Sequence, residues 1–378
     1  MTPLLIVDHP RIQLRFRPLT ATRSLAQLKL AYYTIHERWN CIYSNVAVFD
    51  TQHPSEACVF VYSHVIPNNQ LLESILNLKP GECLVYNTSP IAWHGVYDQN
   101  MELFKKIEYQ KPLCVLNDPL DLIHHLNTFC IEDFEYLKGH TQAMQLPKFV
   151  TVICNPELLF IEEGAIVSAC YINTQNGPVF ISAKAQIMEG AMVRGPFIMG
   201  AHAELKMGAK IYGPTAVGSW CKIGGELNQC LFQDFSNKAH DGFLGQSLIG
   251  SWCNLGADTN CSNLKNNYST VKQYRYDTQT FEDTGAQFAG IIMGDHCKTG
   301  INTMLNTGTV LGVAAHVYGA GFPPQYIPDF TWYDGKFFQP YIWTKFIETA
   351  QRVMERRNKY LNASDSDRLL KIYQNQHA

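Results

Sequence analysis

The sequence is poor in charge and almost balanced in sign. Charged residues make up 17% of the 378-residue chain and the formal net charge is −3. That balance excludes a nucleic-acid binder working by bulk electrostatics. No run of eighteen apolar residues occurs, so no segment reads as a membrane-spanning helix. The start, Met1 to Asp8, has neither the cationic opening nor the cleavage pattern of a signal peptide and reads as a first β-strand. Twelve cysteines are present without a single Cys-x-x-Cys. A zinc site or disulfide framework is therefore not indicated, and reduced thiols in a cytoplasmic protein are expected.

What the chain does have is a period of six. Ile181, Ile187, Val193, Met199, Leu205, Ile211, Val217 and Ile223 follow one another at that interval. Four places after each of the first seven come Ala185, Ala191, Phe197, Ala203, Ala209, Thr215 and Cys221, nearly all small. A helix repeats its apolar stripe every three or four residues and a strand every two. A period of six fits short strands that turn a corner after each hexapeptide, three to a coil, as in a left-handed parallel β-helix. Ile249 and Leu255, then Leu305, Leu311 and Val317, resume the interval in other phases. Between them, about Asn260 to Gln287, lies a stretch without hexads that reads as a functional loop ejected from the prism or a mobile surface excursion.

Residues 1–147 read as an α/β domain, with strands at Leu4–Val7, Ala57–Tyr62 and Glu82–Tyr86 and a helix over Leu25–Trp39. The β-helix is expected over 148–330, its first coil near Thr151. Pro323, Pro324 and Pro328 are expected to stop it, since proline cannot donate to a ladder. Residues 331–378 are expected to form a helical tail covering the open end.

Chemistry-bearing residues cluster where the hexads lose phase. Ser236 to Gly245 contains Asn237, Lys238, His240 and Asp241. A neutral imidazole can take a proton from an attacking amine or hydroxyl, and a lysine can hold an anionic substrate. Equally, a corner histidine can simply satisfy a turn. Asn260, Asn263, Tyr268 and Lys272 suit a polar sugar phosphate, although asparagines also stack in solenoid corners. Gly290, Gly300, Asn302, Gly308 and Gly319 leave flat surfaces on which an extended cofactor could lie, and solenoid turns need small residues in any case.

MEGAMVRGPF (Met188–Phe197), KMGAKIYG (Lys206–Gly213), SNKAHDGFLG (Ser236–Gly245), WCNLGADTNCSNLKNN (Trp252–Asn267) and Gly294–Gly312 resemble the hexapeptide-repeat sugar-phosphate acyltransferases. More narrowly, they resemble the Bacteroidetes-type branch related to bifunctional N-acetylglucosamine-1-phosphate uridylyltransferase/glucosamine-1-phosphate acetyltransferase. Arg17 to Ala26 and the helix after it resemble, more loosely, the start of sugar nucleotidyltransferases.

The resemblance implies acyl, chiefly acetyl, transfer from acetyl-CoA to an amino-sugar phosphate or nucleotide-linked sugar at clefts of a homotrimer. His240 would be the general base with Lys238 beside it. Asn237, Asp241, Asn260, Asn263, Tyr268 and Lys272 would bind the acceptor, and Gly290, Gly300, Asn302, Gly308 and Gly319 the acyl-CoA. Arg15, Arg17, Arg23 and Lys29 would be possible nucleotide ligands, with Mg²⁺ only if the first domain is active.

The departures are Ile198-Met199-Gly200 in place of an arginine and Leu227-Asn228-Gln229 in place of paired lysines. In the degenerate first domain, the loop Asp8 to Gln13 has no glycine, and Tyr62-Ser63-His64 stands where a metal-binding aspartate is usual. Two alternatives follow. One is a uridylyl- or thymidylyl-type sugar-1-phosphate nucleotidyltransferase with the prism as oligomerisation scaffold. The other is a non-catalytic sugar-nucleotide-binding protein.

Overall fold

The inward aliphatic residues can be buried only by stacking coil on coil, and that is what the chain does. A computed structural model describes residues 3–49, 57–97 and 100–377. From Thr151 to Tyr333, short strands build three parallel faces visited in rotation. Tyr171–Asn173 lies on face 1, Val179–Ile181 on face 2 and Gln186–Ile187 on face 3, and Met192–Arg194 returns to pair with Tyr171–Asn173. Face 2 is a continuous ladder of nine strands. Face 3 is carried through its middle by single bridges of Asn254 to Asn237 and to Lys298.

All eight hexad residues lie in one core, none more than 3% exposed, and the small residues four places on are buried with them. One corner is taken by Lys184, His202 and Trp220, one per coil, each with φ near +60°. The later phase shifts have a simple cause. Inward residues step four places from Ile223 to Leu227 across the tight Gly224-Gly225 corner, and five from Leu227 to Phe232 and from Leu244 to Ile249.

One expectation about this domain needs correction. The prolines do not end the prism: Tyr326–Ile327 and Thr331–Tyr333 still pair in parallel with Val310–Leu311 and His316–Val317. Pro323, Pro324 and Pro328 flank those strands, so no ladder donor is lost. The ladder ends where Phe338–Pro340 pairs antiparallel with Thr331–Tyr333. The stretch ejected from the prism carries a hairpin of its own. Lys272–Arg275 and Thr280–Asp283 form an antiparallel hairpin, Gln273 and Arg275 are buried, and Tyr274 stacks on Tyr326 at 3.7 Å.

By its contacts the chain divides into two units. The first comprises Met1–Phe16, Arg23–Lys29 and Tyr33–Asp121; the second comprises Arg17–Thr22, Leu30–Tyr32 and Leu122–Ala378. In the first, β1 (Leu4–Val7), β2 (Val46–Val48), β3 (Cys58–Tyr62), β4 (Glu82–Tyr86), β5 (Ser89–Gly95) and β6 (Lys105–Glu108) lie in the order β2-β1-β3-β5-β4-β6. Only β5 runs antiparallel to its neighbours. Helices α1 (Pro10–Arg15), α2 (Ile35–Ile42) and α3 (Asn69–Leu76) complete the α/β pattern. The single helix expected over 25–39 is in fact a 3₁₀ turn, Leu25–Gln27, followed by α2. Ser24 with Gln27 and Thr34 with Glu37 each close a capping box, and the second box starts a new helix.

In the second unit a short α4 (Asp121–His124, its first residue still in the first unit) leads into α5 (Leu126–Lys138). Helix α5 packs over face 2, where Phe180, Ile198 and Ala216 point outward yet are fully buried. The tail forms two helices, α6 (Trp343–Glu355) and α7 (Ala363–His377), broken where Asn358 takes φ 53°. Phe346, Ala350, Leu369 and Ile372 bury against Phe330 and Tyr341. Among the described residues, no helix is long and apolar enough to cross a membrane.

Ile187→Ala removes an inward side chain and is expected to cost about 2–5 kcal/mol. Ile166→Ala, on the same face but outward and 59% exposed, is expected to change stability by less than about 0.5 kcal/mol. Urea denaturation of the two variants checks the inward assignment, and equal costs would contradict it.

Candidate functional site

His240 lies in the turn between Asn237–Lys238 of face 3 and Phe243–Gly245 of face 1. Its side chain is exposed, and Asp241 beside it is exposed as well. Lys238 is placed differently from the expectation that it reaches an anionic substrate. It stands six residues after Phe232 and six before Leu244, at a position where the neighbouring coils put an aliphatic. Its side chain therefore points inward and the residue is 1% exposed. The ammonium donates to the carbonyls of His240 at 2.8 Å, Asp241 at 3.1 Å and Gly224 at 3.4 Å. A buried cation thus pins the turn that presents His240. Burial pushes the Lys238 pKa down to about 8, against the opposing pull of Asp241, Cys230 and Asp258.

The other sequence candidates divide between two corners. With His240 stand Asp241, Asn260, Gly300, Asn302 and Gly319. The Asp241 carbonyl accepts from Asp258 N at 3.1 Å, Asn260 Oδ1 accepts from Phe243 N at 2.8 Å, and Asn302 N donates to the Ala257 carbonyl at 2.8 Å. Asn237 lies on the adjoining strand of face 3. The corner between faces 1 and 2 holds Asn263, whose Nδ2 donates to Gln246 Oε1, while Gln246 Nε2 donates to Gln229 Oε1 at 3.0 Å. This amide ladder uses Asn263 to join coils. Tyr268 and Lys272 are exposed on the excursion that leaves from there. Gly290 and Gly308 belong to the same corner. A Cβ on Gly290 would stand 1.9 Å from the Gly245 carbonyl, and Gly308 has φ +67° with the Lys272 carbonyl 2.3 Å from a Cβ. Close approach of backbones accounts for both glycines without a ligand.

In the first unit, a cleft of about 510 Å³ opens at the carboxyl ends of β1 and β3, lined in part by His9, Arg11, Tyr62, His64, Tyr86 and Asn87. Ligands of open α/β sheets bind in such a position. Burial lowers the pKa of His9 and takes that of His64 down to about 4, with the neighbouring Arg11 and His9 adding to each shift. Both imidazoles are therefore neutral at neutral pH. The Nδ1 atoms of both are buried without a hydrogen-bond partner.

Among the described residues no carboxylate lines this cleft, and no group of three or more metal-ligating side chains occurs. The residues do not fit Mg²⁺. Asp8, at the end of β1, is occupied in accepting from Ser24 Oγ at 3.1 Å, Leu25 N at 3.2 Å and Ser63 Oγ at 2.6 Å.

None of the four expected nucleotide ligands lines the cleft. Arg15 pairs with Asp118 at 3.1 Å, and Arg17 with Asp329 at 2.9 Å. Arg23 offers its carbonyl to Gln13 at 2.9 Å, and Lys29 bridges to Thr34. Sequence reasoning missed His9, Arg11 and His64 as cleft residues, although His9 and His64 follow closely on strands it had placed at Leu4–Val7 and Ala57–Tyr62.

The fold and these two sites define the class: a hexapeptide-repeat β-helix with an α/β sheet unit ahead of it. Residues 4–141 match the family described as sugar nucleotidyl transferase. No curated protein matches the chain.

Among solved structures, the chain is similar to a UDP-N-acetylglucosamine acyltransferase from Campylobacter jejuni, with 16% identity, 56% of this chain and 80% of that one covered, and a TM-score of 0.23. LpxA from Acinetobacter baumannii matches at 14% identity, with 54% and 78% covered and a TM-score of 0.22. A variant of the N-acyltransferase AntD from Bacillus cereus, in complex with dTDP-4-amino-4,6-dideoxyglucose and coenzyme A, matches at 13%, with 51% and 82% covered and a TM-score of 0.20. Likeness at this level transfers no activity.

Lys238 is expected to titrate near pH 8 in the folded protein rather than at 10.5. Between those values the unfolded chain binds more protons, so this group makes stability rise with pH, and the burial penalty is complete below about pH 8. Raising the pH from about 7.5 to about 9.5 should therefore stabilise the wild type relative to Lys238→Met in urea melts. An unchanged difference would contradict the assignment.

Proposed function

We propose that the chain transfers an acyl group, chiefly acetyl, from an acyl-CoA to the amine of an amino-sugar phosphate or nucleotide-linked sugar. In this reading residues 148–330 carry the transfer. The observation that supports it most is the His240 turn: an exposed imidazole on a loop anchored by a lysine placed where a prism interior takes an aliphatic side chain. The His240 ring takes the proton of the acceptor amine as the nitrogen attacks the thioester carbonyl. The tetrahedral oxyanion then collapses, the carbon–sulfur bond breaks, and the leaving thiolate takes the proton from the imidazolium. Lys238 acts here as a positioning residue. Asp241, Asn260 and Asn302 border the turn on its own corner, where an acceptor would meet them.

A homotrimer belongs to the same reading. Face 2 is covered by α5, whereas face 1 leaves Ile153, Tyr171, Met192 and Tyr212 exposed on the coils that precede the one carrying His240. A closed cyclic assembly would bury that face and complete the cleft.

A second reading has its own observation. The cleft with His9, Arg11, Tyr62 and His64 lies within the span that matches the sugar nucleotidyl transferase family, but it lacks glycine loop and carboxylates. It fits binding of a sugar nucleotide better than metal-dependent nucleotidyl transfer.

His240→Ala is expected to lower turnover by about 10²–10⁴-fold with acyl-CoA affinity kept, measured as free thiol released from acetyl-CoA over a panel of amino-sugar phosphates. Near-normal release by the variant would remove His240 from the mechanism. Sedimentation equilibrium at micromolar concentration should give a trimer, and Tyr171→Arg should shift it towards monomer. A monomeric wild type would contradict the assembly.

A further inference from the structure

A second cleft lies within one chain, between face 3 of the prism and the end of α6. It measures about 430 Å³ and carries Lys222 and Lys298 on the prism wall and Arg356 and Arg357 on the helix wall. No aspartate or glutamate is among its lining residues. The prism cations belong to one row of outward side chains, in which Lys222 pairs with Asn237, Asn237 bridges to Asn254, and Asn254 bridges to Lys298.

Three of these four cations make no ion pair among the described residues. Lys222 is held by Glu204 at 2.7 Å, but Lys298 and Arg356 make no side-chain hydrogen bond or ion pair among the described residues. Arg357 has only the face of Trp220, at 6.0 Å from the ring centre. Burial lowers the Lys298 pKa, the mark of a cation withdrawn from water with no counter-ion. Its neighbour in the row, His316, is kept neutral by burial. Asn237 Oδ1 is buried without a partner, an acceptor open to a hydroxyl. Phe235 and Trp252, stacked at 4.1 Å and nearly parallel, close one end with an aromatic wall.

We infer that this cleft binds a diphosphate ester carrying a hydroxylated ring, the part shared by coenzyme A and nucleotide sugars. Its size falls in the range of small-molecule sites, roughly 300–1,000 Å³. Several cations on two walls suit a compact multiply charged anion. Ala239 lines the same cleft one residue before His240, so a diphosphate held here reaches the turn proposed to carry acyl transfer. The link to catalysis rests on that proposal; the binding site does not.

The test is calorimetric titration of the full chain at about 150 mM salt with coenzyme A, with UDP-N-acetylglucosamine and with inorganic pyrophosphate. At least one is expected to bind, and Arg356→Ala and Lys298→Met are each expected to weaken it about tenfold or more without loss of fold by thermal melting. Arg356 is exposed, so its variant stays informative if Lys298→Met is unstable. The ligand that suffers the loss identifies the source of the diphosphate, and His240→Ala should bind it as the wild type does. Failure of all three to bind, or affinities indifferent to Arg356→Ala, overturns the inference and leaves the His240 proposal to its own assay.

Discussion

Every other feature of the prism depends on one packing relation: an inward side chain meets its equivalent one coil away, and the parallel ladder holds it there. Ile187 faces Leu205 and Leu205 faces Ile223 in strict register. A single coil could not bury such a residue, so the domain exists only as a stack. The corners must then repeat as faithfully as the strands. At one of them Asp234, Asp295 and Asp329 each accept the amide of an adjacent coil at 2.7 Å, from Ser219, Ser251 and Val313. Buried backbone donors left over by the turns are satisfied in this way.

Lys238 is the one inward hexad position where this rule is broken with a charge. Withdrawing an ammonium from water is costly unless it is well solvated by protein dipoles, and three carbonyls of the turn do that. Local departures of this kind are where function is expected to be placed. Here the departure ties down, through three carbonyl hydrogen bonds, the turn that bears the exposed histidine proposed as general base.

The three faces are treated unequally. Helix α5 seals face 2, the end of α6 turns part of face 3 into a cationic cleft, and face 1 keeps apolar side chains exposed. A chain with so little charge overall concentrates unpaired cations in one place, and concentration rather than net charge is what recognises a small anion.

Sequence alone carried the period of six, hence the parallel coils, the inward residues from Ile181 to Ile223 and the start of the prism near Thr151. It also marked the segment with His240, because inward side chains leave a periodic trace whatever surrounds them. The place of Lys238 was legible too, six residues from Phe232 and from Leu244, had the phase been followed through the shortened corners.

What only the tertiary structure decided are matters of distance between remote segments. Arg15 and Arg17 are taken up by Asp118 and Asp329, Asn263 by Gln246, and the prolines near 323 by positions outside the ladder. The cationic cleft joins Lys222 and Lys298 to Arg356 and Arg357, residues far apart in sequence. No periodicity records such a meeting, because it is set by how the last helices fold back on the prism and not by any repeat along the chain.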